Sequence, residues 1–228
     1  MSRFHARLHA STVRAGLCSL ALLPIACSAE APRGGRPPLD SAAFAGPDQL
    51  HAHAVLERTI FAIDVLGVDL WVGEETAAEV RRIAAGRDED SIPGDSIALA
   101  LLAARNGLAV ARVERGISQE KFLENVGKDL DAASEARLIP ASVARQVGDA
   151  LPAWFEFLAE RGLEEGDLMM TRVRGDTVRT VYRGADGVTL LDQTDPHGTE
   201  RWLGTVGAYL APESGLREGL IRSALEGS

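Results

Sequence analysis

Two glycine–acid pairs, Gly175-Asp176 and Asp186-Gly187, cut the stretch after residue 166 into three short β-prone runs, and they restrict the fold more than any other feature of the chain. Residues 168–173, 177–182 and 188–191 are the strands, the pairs are the turns between them, and the product is an antiparallel meander. Upstream, VLERTIFAIDVLGVDLWV at 55–72 reads as one long or two shorter strands, apolar on both faces around Gly67 and therefore expected centrally in the sheet. Residues 74–85 have helical spacing, and the acidic loop at 86–95 looks solvated. Residues 96–105, closed by Asn106-Gly107, read as a helix, with a strand as the alternative. Residues 110–115 alternate as a strand. Ser118 then sits where a helix N-cap belongs, Gln119 and Glu120 fill the first turn, and Phe122, Val126 and Leu130 form one apolar stripe.

After Pro140, the residues Val143, Val147, Leu151, Trp154 and Leu158 mark an amphipathic helix, with Pro152 as a kink or restart and Gly162 as its stop. Two helices close the chain at 202–210 and 216–225; Leu216, Leu220 and Ala224 align in one row that must dock somewhere. Strands and helices follow one another without βαβ alternation. The expected class is α+β, an antiparallel sheet covered by helices, in a single domain over 50–228.

The first 27 residues have a different character. Arg3, Arg7 and Arg14 precede an apolar run at 15–26 that ends at Cys27, the pattern of a secretory signal peptide too short to span a bilayer permanently. Leu23-Pro24-Ile25-Ala26-Cys27 resembles a bacterial lipobox, in which the cysteine is acylated and becomes the first mature residue. Pro24 departs from the usual leucine, so two readings stand: a lipid on Cys27, or plain cleavage near Ala29. Both place the domain outside the cytoplasm, in the periplasm or tethered to a membrane through that lipid alone. Residues 28–49, rich in Ala, Pro, Gly and Ser, form a linker.

Cys18 and Cys27 are the only cysteines, so the folded part has no internal disulfide, cysteine metal cluster or thiol nucleophile to draw on. Its 46% hydrophobic residues must supply the core unaided. Lys and Arg number 24 against 33 for Asp and Glu, a net charge of −9 that argues against a nucleic-acid partner. No phosphate loop or Gly-x-Ser-x-Gly elbow is present, and no cofactor is implied. His51 and His53 lie on the approach from the linker, where a pair of histidines is far more often incidental than metal-binding. His197 reads as a turn residue after Asp195-Pro196. Trp154, Phe155 and Phe157 read as core.

RGISQEKFLENVGKDL at 115–130, taken with 138–191 and 202–225, resembles the chalcone isomerase-like family, particularly its bacterial secreted branch. The resemblance implies an open-faced antiparallel sheet wrapped by helices. In the plant enzymes a threonine of a β-strand helps polarise the substrate; the similar stretch Ile63-Asp64-Val65-Leu66-Gly67-Val68-Asp69 puts Asp64 there. The family's active-site helix carries a tyrosine, a lysine and an asparagine, whose positions fall on Phe122, Asn125 and Asp129. Phe122 cannot donate a hydrogen bond and Asn125 carries no charge, so no catalytic residue is assigned. Arg58 is the nearest candidate for the catalytic arginine, at the wrong spacing.

Other members of that fold are implied to bind fatty acids, with an arginine on the carboxylate at the cleft. The candidates here are Arg112 and Arg115; for Arg115, a surface pairing with Glu114 carries equal weight. The expected ligand-binding set is therefore Arg115, Arg112, Phe122, Asp64 and Asn125, serving a small apolar carboxylate. An isomerase-type intramolecular lyase and a structural or interaction domain are the alternatives.

Overall fold

Alternation along each strand decides which face of the sheet receives the helices. In β1 (Leu50–Arg58) it is carried by alanine and histidine: Leu50, Ala52 and Ala54 are buried while His51 and His53 are exposed. β1 pairs with β2 (Ile63–Val72), and the ladder continues through β3 (Asn106–Val113), β4 (Leu168–Arg174), β5 (Thr177–Arg183) and β6 (Thr189–Asp195). Every pairing is antiparallel and the spatial order follows the chain order. The structure, a computed structural model, describes residues 49–58, 63–86, 91 and 93–227.

Helices fill the connections. α1 (Glu74–Ala84) and α2 (Gly94–Leu102) join β2 to β3; α3 (Gln119–Glu135) and α4 (Ala141–Trp154) join β3 to β4; α5 (Thr199–Leu210) and α6 (Arg217–Glu226) close the chain. Their apolar faces and the inward row Ala54, Val68, Ala111, Met169, Tyr182, Leu191 share one core. The architecture is thus α+β, an antiparallel sheet covered by helices, as the sequence leads one to expect. The docking place of the C-terminal helix is now visible: Leu216, Leu220 and Ala224 are buried, and a side chain at Gly219 would stand 2.9 Å from the Ala54 methyl, so α6 lies close along β1. On the opposite face, Leu108, Val110, Met170 and Val181 form a second, smaller buried cluster.

Several expectations change. Residues 55–72 are two strands, and the first of them is the sheet's edge rather than its centre. His51 and His53 belong to that edge strand and not to a linker approach; both ring nitrogens meet Asp69 Oδ1, at 2.8 and 3.0 Å, and His51 stacks on Trp71 with centroids 4.6 Å apart. β6 runs on to Asp195, past the expected end at 191. Its outer residues are exposed, so no apolar alternation announces it. Pro152 does not restart α4, which runs through it to Trp154; near a C-terminus the amide that proline lacks costs little further helix.

Ser118 caps α3, accepting from the Lys121 amide at 3.3 Å. The helix expected to run to Gly162 ends at Trp154 and is followed by a 3-10 turn at 156–158; Gly162 lies beyond both in the left-handed region, φ 69°, and a Cβ there would stand 2.6 Å from the Ile117 carbonyl. That close approach lets Ile117 pair with Leu163, fixing where α3 starts relative to the sheet.

Candidate functional site

The inward face of β3 carries Gly107, Ala109 and Ala111, the smallest side chains available to a strand in the middle of a sheet. Over Gly107 the space is taken: a Cβ there would lie 2.7 Å from the Trp202 ring. Over Ala111 it is not. A cavity of about 640 Å³ opens between the sheet and the helices, floored by Ala111, Val113, Met169, Thr171, Thr180 and Tyr182. Val126 of α3, Leu151 and Trp154 of α4, and Thr205 and Ala208 of α5 roof it, and the turn at 213–216 closes one end. This is the size and chemistry of a small-molecule pocket, mostly apolar with a few polar groups.

Three of the expected ligand residues line it: Arg115, Phe122 and Asn125, together with Asp129. Arg115 is exposed at its rim, and Phe122 packs edge-on to Phe155 at 5.1 Å. Arg112 is placed elsewhere. It is two residues along β3 from Val110, on the face turned away from the helices, and is exposed. The backbone of Asp64 pairs with Glu57 in the β1–β2 ladder, but its side chain lies outside the described residues, as does that of Arg58. Cys27 lies outside them altogether. Trp154 and Phe155, expected as core, belong to both core and cavity wall.

Two basic residues at the rim are already compensated. Lys121 and Lys128 both reach Glu124, at 2.8 and 2.5 Å, and these contacts hold the Glu124 carboxyl at about 2. Inside, the Tyr182 hydroxyl donates to Asp167 at 2.6 Å. Asp167 is fully buried and also accepts two bonds from Arg161 and the amides of Glu164 and Ala185. Burial alone would raise the Asp167 carboxyl; the Arg161, Tyr182 and amide donors outweigh it and hold the group below the usual carboxylate range. This knot fastens the 161–167 segment to the β5–β6 turn and occupies Tyr182's proton.

The residue that sequence reasoning missed is Arg201. It stands in the first turn of α5, 6% exposed, lines the cavity, and lies with its guanidinium 4.0 Å from the centre of the Trp154 ring. Its Nη1 donates to Gln193 Oε1 at 3.2 Å, and its Nε is buried without any partner. Desolvation lowers its pKa, and the Coulombic pull of Asp195 does not restore it. Thr180, directly opposite Gln193 in the β5–β6 ladder and so on the same face, also buries an unpartnered hydroxyl. Tyr209, further along α5, lines the cavity as well, and burial pushes its phenol upward so that it remains a donor. The available signal was in α5 itself: it is buried on nearly every side, so a charged residue within it must face either a partner or a cavity.

No protein-family model matches the chain, and no curated protein does. Among solved structures, it is similar to the crystal structure of a fatty-acid binding protein from Arabidopsis thaliana, with a TM-score of 0.49 and 12% sequence identity over 80% of this chain and 91% of that one.

Proposed function

We propose that this chain is a noncatalytic, chalcone isomerase-like domain of the bacterial envelope that holds a small apolar or fatty-acid-like ligand between its sheet and helices. The carrying observation is the 640 Å³ cavity, walled largely by Val, Leu, Met and aromatic side chains. A cleft of this size, open at its rim, leaves a mostly apolar wall in contact with water, and a ligand of matching character would cover it.

Cyclisation of a chalcone requires donors directed at a developing enolate, and on α3 the cavity presents Phe122, Asn125 and Asp129 where the resembling enzymes carry theirs. Binding without turnover is the better fit. Export, and a lipid on Cys27, are part of the same proposal and rest on the leader and its lipobox-like sequence.

Native mass spectrometry of the purified protein, followed by titration with medium- and long-chain fatty acids, tests the binding reading; adducts of defined mass are expected. Chalcone absorbance should decay at the spontaneous rate at every protein concentration. Concentration-dependent decay would assign an isomerase instead, and an absence of adducts with every acid would leave a structural or interaction domain.

A further inference from the structure

We infer that the ligand is a free carboxylic acid bound head-first, its carboxylate against Arg201 and Thr180 at the buried end of the cavity and its tail running along α5 towards the exposed turn at 213–216. This rests on the proposed binding function and adds the head group, the orientation and the residue that selects it.

A buried guanidinium requires an anion or a full set of acceptors. Arg201 has neither: among the described residues its polar contacts are the Gln193 amide oxygen and the Trp154 ring face, with Asp195 acting only at a distance. Gln193 occupies Nη1. The unused edge is the one formed by Nε and Nη2, two parallel N–H groups whose spacing matches the two oxygens of a carboxylate. Thr180 supplies an unpartnered hydroxyl on the same wall, so both of these groups find an acceptor in one incoming anion.

Burial along the cavity wall gives the direction. Arg201 is itself 6% exposed and covered by the Trp154 ring, so a group attached beyond the carboxyl carbon would have to displace that cover. The exposed lining residues are Glu213 and Gly215, past the other end of α5, and Arg115, Lys121 and Lys128 on the segment from β3 into α3; none of them belongs to the first turn of α5. From Arg201 to Tyr209 the helix rises about 12 Å, along a cavity-facing row completed by Gly204, Thr205 and Ala208. An ester or thioester would have to bury its alcohol portion against Arg201, while a free acid buries only its charge there. Arg112 and Arg115, the arginines that stand out in the sequence, are both exposed and do not take the head group.

Titration calorimetry with delipidated full-length protein tests this with three ligands: dodecanoate, its methyl ester, and dodecanoate carrying a dansyl group on the ω-carbon. The acid should bind at least tenfold more tightly than the ester, and the ω-tagged acid should still bind. In Arg201→Met, a replacement of similar length that leaves no buried charge, acid affinity should fall roughly tenfold to a hundredfold while ester affinity holds or rises. Thermal unfolding of the variant establishes that it folds; Arg201→Lys, which retains charge without the fork, should recover only part of the preference. Equal affinity for acid and ester, unchanged acid binding in Arg201→Met, or rejection of the ω-tagged acid would each overturn the inference while leaving apolar binding intact. Failure of all three ligands to bind would overturn it together with the function on which it rests.

Discussion

At the scale of single residues, two buried charges of opposite kind stand out among the described residues. Asp167 is saturated, accepting from Arg161, Tyr182 and two backbone amides; Arg201 is left with an open edge. A saturated buried group serves the fold, whereas one lacking partners points to something that binds. The difference is measurable. Asp167→Asn leaves Arg161 facing a neutral amide and is expected to cost about 3 kcal/mol, the usual penalty for removing one partner of a buried pair. Because the Asp167 carboxyl is depressed in the folded state, its contribution is complete above the ordinary aspartate value and is lost as the pH falls through the folded one. Wild-type unfolding midpoints should therefore drop steeply below about pH 4, more steeply than those of Asp167→Asn, which has no such proton to bind. Parallel acid limbs in urea or thermal melts would show that other carboxylates govern acid unfolding.

At the scale of elements, β3 decides where the protein is solid and where it is hollow. Its inward residues from Gly107 to Ala111 are small; Trp202 fills the hollow above Gly107, and nothing fills it above Ala111. Ala111→Leu should therefore pack into empty space and raise stability by about 1 kcal/mol, as cavity-filling changes do, while reducing dodecanoate affinity at least tenfold in the same calorimetric assay. Lower stability with unchanged affinity would mean that the space over Ala111 is not where the ligand lies.

Most of these elements were legible because their apolar periodicity is strong: the stripe of α3, the row of α6 and the turn pairs of the β4–β6 meander all carry it. The start of β1 and the end of β6 were not. One alternates alanine with histidine and the other is polar on an exposed edge, so neither gives much hydrophobic contrast. The site divides along the same line. Arg115, Phe122 and Asn125 were reached through the resemblance carried by residues 115–130, whereas Arg201, Thr180 and Gln193 come together only through the β5–β6 register and the packing of α5 against Trp154. Such long-range partners have no signature in a single sequence.

At the scale of the whole molecule, a chain with a net charge of −9 has little attraction for an anionic membrane, so residence at a bilayer would have to come from a covalent lipid. The lipobox-like sequence ending at Cys27 would supply the residue for this, followed by a stretch rich in Ala, Pro, Gly and Ser. Described residues include no helix long and apolar enough to cross a membrane. A single acyl chain gives marginal, reversible anchoring, and further chains make it stable; the bacterial modification implied by a lipobox adds more than one. Tethering would keep the cavity within reach of the membrane from which an acyl acid must come. Growth with a radiolabelled fatty acid, followed by immunoprecipitation of the wild type and Cys27→Ala, should show label in the first and none in the second. With Cys27→Ala, the protein should also move from the membrane fraction to the soluble one while retaining its dodecanoate affinity, since the cavity residues lie far along the chain. Equal labelling of the two proteins would rule out the anchor, leaving ordinary cleavage near Ala29 and a freely diffusing binder.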